Sequence, residues 1–290
     1  MSKTSYGCYL TFFVVMSLLL GFTYHEGSST GVTQLQIAGA PDGVVFIADP
    51  HLRESNSDQI RETIDRINAL HPSLVLIGGD FTCAGEEDLL LQEVWGGIDA
   101  PVYAVLGNHD YQTGMSAEEN LRKMKVVAHA QLQAGDYDIR ALQDGTVDRD
   151  YADRLAVVLE QQGVRVLRNE YVQLSLNGRD VMIVGVDDGW AGMADPPVIP
   201  KTDAFTIYMI HEPECRGNWP ADLVLAGHTH GGQVVPPGID RLISGDNFRL
   251  SGRIDENGSV IYITRGLGTS SSRFTFRLFA PPEIVVIRPL

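Results

Sequence analysis

Cysteine is scarce in this chain. There are three, Cys8, Cys83 and Cys215, and no Cys-x-x-Cys pair. A zinc knuckle and a dithiol redox motif are therefore not indicated. A disulfide or a metal thiolate involving Cys83 or Cys215 stays open, beside the ordinary alternative of a small buried thiol. Positive charge is also scarce: 22 Lys and Arg stand against 37 Asp and Glu, a net charge of −15. Such a surface repels a phosphate backbone, so no nucleic-acid partner is expected. One phosphate-bearing substrate neutralised by metal ions is still compatible with that charge. No Gly-x-x-x-x-Gly-Lys-Ser/Thr occurs, which argues against a P-loop enzyme or kinase. Internal repeats, heptad runs and long low-complexity tracts are lacking as well. What is there is ordinary: 290 residues, 44% hydrophobic and 20% charged, enough for one large α/β domain or two small ones.

The one long apolar run lies at the N-terminus, residues 9–24. A membrane span needs ~20 mostly apolar residues, with about 17 as the lower limit, and the run meets that if Gly7 and Cys8 are counted. No Ala-x-Ala-like cleavage site is obvious, and no lipoprotein cysteine follows. The reading favoured is an uncleaved anchor over residues 1–25, with secretion after signal cleavage as the alternative. Lys3 before the run and no positive charge just after it put the N-terminus in the cytoplasm and the body outside. Residues 26–34 are Gly/Ser/Thr-rich and read as a linker. Residues 35–290 form the domain.

The domain alternates buried strands with helices. Strands are expected at 44–48, 73–77, 101–106, 181–186, 205–210, 223–226, 260–264 and 284–287, and helices at 58–70 and 86–95. Residue 58 is an expected helix cap, and His71-Pro72 a stop. The order implies βαβ units and a largely parallel sheet. Residues 115–162 break the rhythm with helical patterns at 118–132 and 150–162, and an inserted helical segment is expected at about 115–150. That inserted segment reads either as a lid over a site or as surface decoration.

The chemistry sits at the strand ends. Apolar runs terminate in Asp49, His51, Asp80, Asn108, His109, Asp110, His211, His228 and His230, which hold five of the eight histidines. Ligands in open α/β sheets gather beyond the carboxyl ends of strands. Imidazole and carboxylate suit borderline divalent metals, and a carboxylate can bridge two of them. The pairs Asp49-x-His51 and His228-x-His230 each point to one side if the segment is extended. A lone strand-end Asp or His is usually a cap or a solvated group, and His25, His71 and His129 take that reading. The recurrence of the pattern argues against it for the rest.

The order Asp49-x-His51, Gly79-Asp80, Gly107-Asn108-His109-Asp110, His211, Gly227-His228-x-His230 resembles the calcineurin-like metallophosphoesterases. Gly185-Val186-Asp187-Asp188, residues 225–234, 264–269 and 281–284 are further similar to a bacterial membrane-associated branch. The resemblance implies two packed mixed β-sheets flanked by helices, a four-layer α/β (α+β) sandwich. It implies one metal on Asp49, His51, Asp80 and His230, and another on Asp80, Asn108, His211 and His228. It makes His109 the catalytic imidazole and Asp110 its orienting partner. The expected cofactors are two divalent ions, Mn²⁺, Fe²⁺/Fe³⁺ or Zn²⁺. The expected reaction is hydrolysis of a phosphodiester or pyrophosphate bond by a hydroxide bridging ions ~3.5–4 Å apart. A phosphoester, either a small molecule or a lipid-linked or envelope compound, is the expected substrate class, with the membrane a partner through the N-terminal segment. The alternatives are a phosphomonoesterase on the same site and a non-catalytic metal-binding scaffold. Arg265, Arg273 and Arg277 read as solvated surface arginines, with phosphate contact as the other possibility.

Overall fold

The structure is a computed structural model that describes residues 3–83, 85–133, 135–235, 249–270 and 276–290, with backbone only for 3–8, 10 and 11. In chain order the elements are α1 (Lys3–Ser28), β1 (Gly31–Ile37), β2 (Val44–Ile47), α2 (Ser57–Ala69), β3 (Leu74–Ile77) and β4 (Val102–Ala104). Then come α3 (Ala117–Val127), β5 (Gln131–Gln133), β6 (Asp136–Asp138), α4 (Arg149–Gln161), β7 (Val164–Val166), β8 (Glu170–Leu176), β9 (Arg179–Gly185) and β10 (Phe205–Met209). The last four are β11 (Leu223–Ala226), β12 (Gly252–Glu256), β13 (Ser259–Ile263) and β14 (Glu283–Pro289).

Two six-stranded mixed sheets carry the fold, in the orders β1-β14-β2-β3-β4-β7 and β12-β13-β11-β10-β9-β8. Alternation along each central strand explains the layering. In β2, Val45 and Ile47 face α2 and α4, while Val44 and Phe46 face the second sheet. Both faces are covered, so the strand is apolar throughout. Phe46, Leu74, Leu76, Val105, Val181, Ile183, Ile207, Met209 and Leu225 fill the space between the sheets. The outer face of the second sheet, with Met182, Val184, Tyr208 and Ile261, is covered by Val127, Ile139 and Leu142 of the inserted segment together with Trp190 and Trp219. The expected four-layer α/β sandwich is what the chain forms.

Helix α2 buries Ile60, Thr63, Ile64 and Ile67, one stripe at helical spacing. Its N-cap is Asn56, without a side-chain cap bond, and Asp58 lies in the first turn rather than at the cap. The helix expected at 86–95 is instead a 3-10 stretch, Leu89–Gly97, started by Asp88 accepting from the Leu90 amide. The inserted helices begin on Ser116 and Asp148, which accept from the amides of Glu119 and Tyr151.

The linker expected at 26–34 is not one. Helix α1 runs to Ser28 and β1 pairs in parallel with β14 from Gly31 opposite Glu283. Its composition is that of a spacer, but its backbone is used by a strand some 250 residues further on. Helix α1 forms over the apolar run, with Phe12, Phe13, Leu18 and Phe22 exposed. Among the described residues, no helix is long and apolar enough to cross a membrane. Several side chains of the expected anchor, Lys3, Gly7 and Cys8 among them, lie outside those described.

Candidate metal centre

The C-terminal ends of β2, β3, β4, β10 and β11 meet at one rim. Asp49 and His51 follow β2, Asp80 follows β3, Asn108 and His109 follow β4, His211 follows β10, and His228 and His230 follow β11. All are buried except His228, which is half-buried. Potential ligand atoms of Asp49, His51 and His230 lie within 4.8 Å of one another, as do those of His51, Asp80 and His109, and those of Asp80, His211 and His228. The turns are not extended, contrary to expectation. Asp49, His51, Asp80, His228 and His230 all have positive φ, from 41° to 69°. Left-handed backbone is unfavourable for such residues and persists where the surroundings over-determine it. Here the loops interlock: the Asp49 amide donates to Gly79 O and the His51 amide to Asp80 O, each at 3.0 Å.

Hydrogen bonds fix the imidazoles. Nδ1 of His51 faces Thr82 O at 3.2 Å, Nδ1 of His211 faces Gly78 O at 2.7 Å, and Nδ1 of His230 faces Gly268 O at 3.2 Å. A carbonyl can only accept, so each Nδ1 carries a proton and each ring, when neutral, offers its Nε2 lone pair. Those lone pairs converge. His51 Nε2 lies 3.0 Å from His230 Nε2 and 3.4 Å from Asp80 Oδ2, and His211 Nε2 lies 3.1 Å from Asp80 Oδ2. Asp49 Oδ1 is 3.8 Å from His230 Nε2 and 3.9 Å from His211 Nε2, and its Oδ2 has no hydrogen-bond partner. Acceptor facing acceptor, with two carboxylates alongside, is a cavity made for cations. The donor set fits Mn²⁺, Fe or Zn²⁺.

Asn108 donates from Nδ2 to Thr113 O at 2.7 Å, which turns its Oδ1 to His228 Nδ1, 3.0 Å away. Behind His228, the Trp190 ring meets it edge-on at 4.3 Å, and Glu214 Oε1 lies 3.9 Å from its Nε2. His109 crosses His51 edge-on at 4.6 Å, and its Nδ1 is buried without a partner. Asp110 does not orient that ring as expected. Its carboxylate accepts from the amides of Gly107 at 2.9 Å and Thr82 at 3.0 Å, and from the Thr82 hydroxyl at 3.2 Å. It ties two site loops together from behind. The sequence could not show this, because an Asp beside a His suggests a pair while the helical turn aims the two side chains apart.

Burial governs the titration of these groups. It pushes the Asp49 carboxyl up to about 7, with His211 opposing and Asp80 adding to the rise. It pushes His51 and His228 down to about 3 and His230 down strongly. Burial would also raise Asp80, but His211, His109 and His51 around it win and hold it well below the usual range. His211 is raised despite burial, because Asp80 faces it. At neutral pH the rings of His51, His228 and His230 are neutral and ready to ligate. The thiols of Cys83 and Cys215 are free, buried and raised by that burial, so neither is poised as a thiolate ligand.

Backbone crowds the site from the sides. A Cβ at Gly107 would lie 2.6 Å from the Asp80 amide, and one at Gly227 or Gly266 would lie 2.7 Å from Asp49 Oδ2. The 264–269 stretch is thus a wall against Asp49. Arg277 is fully buried behind His230, and Arg265 pairs with Glu283 at 2.7 Å, so the solvated reading of both is corrected; Arg273 lies outside the described residues. The rim opens into a cleft of about 420 Å³ lined by Asp80, His109, His228, Gly114, Asn120 and Gln233, among others. Asn120 comes from α3, so the inserted segment both covers the second sheet and borders the cleft.

A two-sheet sandwich with a buried His/Asp metal site at its strand ends defines a metallophosphoesterase. The chain belongs to the calcineurin-like phosphoesterase family, whose profile matches residues 43–232. It is similar to the UDP-2,3-diacylglucosamine pyrophosphatase LpxG of Chlamydia muridarum, with 29% identity over 287 residues, 85% of this chain and 83% of the relative. It is also similar to the phosphodiesterase YaeI of Escherichia coli, with 27% identity over 267 residues, 86% of this chain and 82% of the relative. An uncharacterized metallophosphoesterase of Aquifex aeolicus is 26% identical over 273 residues, 88% of this chain and 85% of that one. The chain is a metal-dependent phosphoesterase.

Proposed function

We propose that this enzyme uses two divalent ions to hydrolyse a phosphodiester or pyrophosphate bond. The observation that carries the reading is the set of pinned imidazoles, His51, His211 and His230, each with Nδ1 on a carbonyl and Nε2 turned to Asp80 or to another lone pair. One ion would be held by Asp49, His51, Asp80 and His230, and the other by Asp80, Asn108, His211 and His228. When bound, the ions would lower the pKa of a coordinated water and offset charge on the phosphoryl oxygens. The protein supplies the rest. Asp80 faces both sets of residues, with Oδ2 3.4 Å from His51 Nε2 and 3.1 Å from His211 Nε2. Asn108 contributes a neutral oxygen, held in direction by Thr113. His109, beside Asp80 and His51 with an unpartnered nitrogen, hands a proton to the leaving oxygen.

The substrate reading is a lipid-linked or envelope phosphoester. The similarity to a UDP-2,3-diacylglucosamine pyrophosphatase supports it. So does the exposed apolar surface of α1, which we read as the membrane attachment of an extracytoplasmic domain, with release after cleavage as the alternative. Hydrolysis of bis(p-nitrophenyl) phosphate by the Mn²⁺-loaded protein tests the reaction. Cleavage of p-nitrophenyl phosphate alone would turn the reading to a phosphomonoesterase, and inertness toward both to a binding scaffold.

A further inference from the structure

We propose that Arg277 is a positioning residue for the Asp49/His51/His230 half of the metal centre, its guanidinium setting the direction in which His230 offers Nε2. The proposal rests on the two-metal reading above. The Arg277 side chain is fully buried. Its Nη1 donates to Arg265 O at 2.7 Å, to Ala280 O at 2.9 Å and to His230 O at 3.4 Å. Its Nη2 donates to Gly268 O and lies 3.5 Å from His230 Nδ1. Gly268 O is the same carbonyl that accepts from His230 Nδ1. One acceptor therefore receives both groups, and the fork holds the main chain and the side chain of His230 at once. The Arg277 amide donates to Thr23 O, which ties its backbone to α1.

Placing a permanent cation beside a cavity for cations is costly, and burial makes it more so. Solubility does not explain it, because the group is not exposed. Geometry does. His230, Gly231 and Gly266 all have left-handed φ, and the loops that carry them both offer carbonyls to this guanidinium. A planar group with five N–H donors can bind several carbonyls in fixed directions. An ammonium offers a point charge and cannot reproduce the fork.

The test is Mn²⁺ titration of the full chain, followed calorimetrically and by electron paramagnetic resonance. In the native protein two ions bind and give a spin-coupled spectrum. In Arg277→Ala one ion should bind with native affinity and the other about 10–100-fold more weakly, the usual effect of losing a partner behind a ligand. The coupled signal should then give way to the six-line spectrum of isolated Mn²⁺. Methylguanidinium added to Arg277→Ala should restore the second ion. Arg277→Lys, which keeps charge and most of the volume, should show the same selective loss and serves if the Ala variant does not fold. Two native affinities in Arg277→Lys would overturn the proposal, as would equal weakening of both ions without rescue. Failure of the native protein to bind Mn²⁺ would overturn the two-metal reading and this proposal with it.

Discussion

The Nε2 atoms of His51 and His230 stand 3.0 Å apart while each ring's Nδ1 faces a backbone carbonyl. Two lone pairs at that distance repel unless a cation lies between or beside them. Metal should therefore stabilise the fold strongly. At a free Mn²⁺ concentration 100 times the dissociation constant, the gain is about 2.7 kcal/mol. Thermal melting in Mn²⁺ and in chelator should differ accordingly. Asp80→Asn weakens the group that faces both halves, at 3.4 Å from His51 and 3.1 Å from His211, and should abolish most of the shift. A native-sized shift in that variant would remove Asp80 from the centre of the site.

His109 stands apart from the ring pattern just described. It is buried, its Nδ1 has no partner, and no carbonyl pins it there. A group left free in this way suits proton transfer better than permanent ligation. His109→Asn should lower turnover by about 10²–10⁴-fold. The metal content measured by elemental analysis should stay near native. Loss of an ion in parallel with activity would make His109 a ligand instead.

The clustering of these side chains was legible because each candidate ligand lies a few residues past the end of an apolar strand, as His211 lies past β10 and Asp80 past β3. The central strands announced themselves through continuous burial. Edge strands did not. In β1 and β8 apolar residues are interleaved with polar ones rather than continuous, and β1 is defined by a partner at the other end of the chain. Arg277 was illegible for a related reason. Its acceptors are carbonyls of residues 230, 265, 268 and 280, and main-chain oxygens leave no trace in side-chain identity.

Asp110 is structural by its contacts. The amides of Gly107 and Thr82 and the Thr82 hydroxyl all donate to its carboxylate. Asp110→Ala strands buried donors, at about 1–3 kcal/mol each. Urea unfolding in chelator should show a loss of that order. His109→Asn should show little. If Asp110→Ala unfolded at the native midpoint and lost only activity, the orienting role expected from sequence would be restored.

Metal uptake should depend on pH through Asp49. Burial raises its carboxyl from 3.8 to about 7, so below about 7 a cation must displace a proton. The sign follows for the ion on Asp49: its affinity rises with pH up to about 7 and levels off above, while the ion on His211, an imidazole raised by Asp80, goes on gaining affinity beyond that. His51 and His228, pushed down to about 3, are already neutral there and add no slope. In the metal-free fold the same Asp49 shift acts as a stabilising term that is full below 3.8 and is lost as pH rises through about 7. Titration calorimetry at pH 6 in buffers of different ionisation enthalpy should show release of about one proton for the ion at this site. Zero release at pH 6 would contradict the protonated Asp49.

The inserted segment is fastened to the site by a buried lysine. Lys123 on α3 is fully covered and donates to Trp190 O at 2.7 Å, Leu142 O at 3.1 Å and Asp144 Oδ2 at 3.1 Å. Trp190 in turn donates from Nε1 to Glu214 at 2.9 Å and packs edge-on against His228. The same helix brings Asn120 to the cleft. Lys123→Met keeps the apolar stem and leaves the acceptors unpaired, which should destabilise the fold by roughly 1–3 kcal/mol. Because Lys123 touches no ligand directly, loosening it should move the cleft wall more than the reacting groups. Steady-state kinetics on bis(p-nitrophenyl) phosphate should then show KM rising further than kcat falls. A purely decorative segment would lower the melting temperature and leave KM where it was.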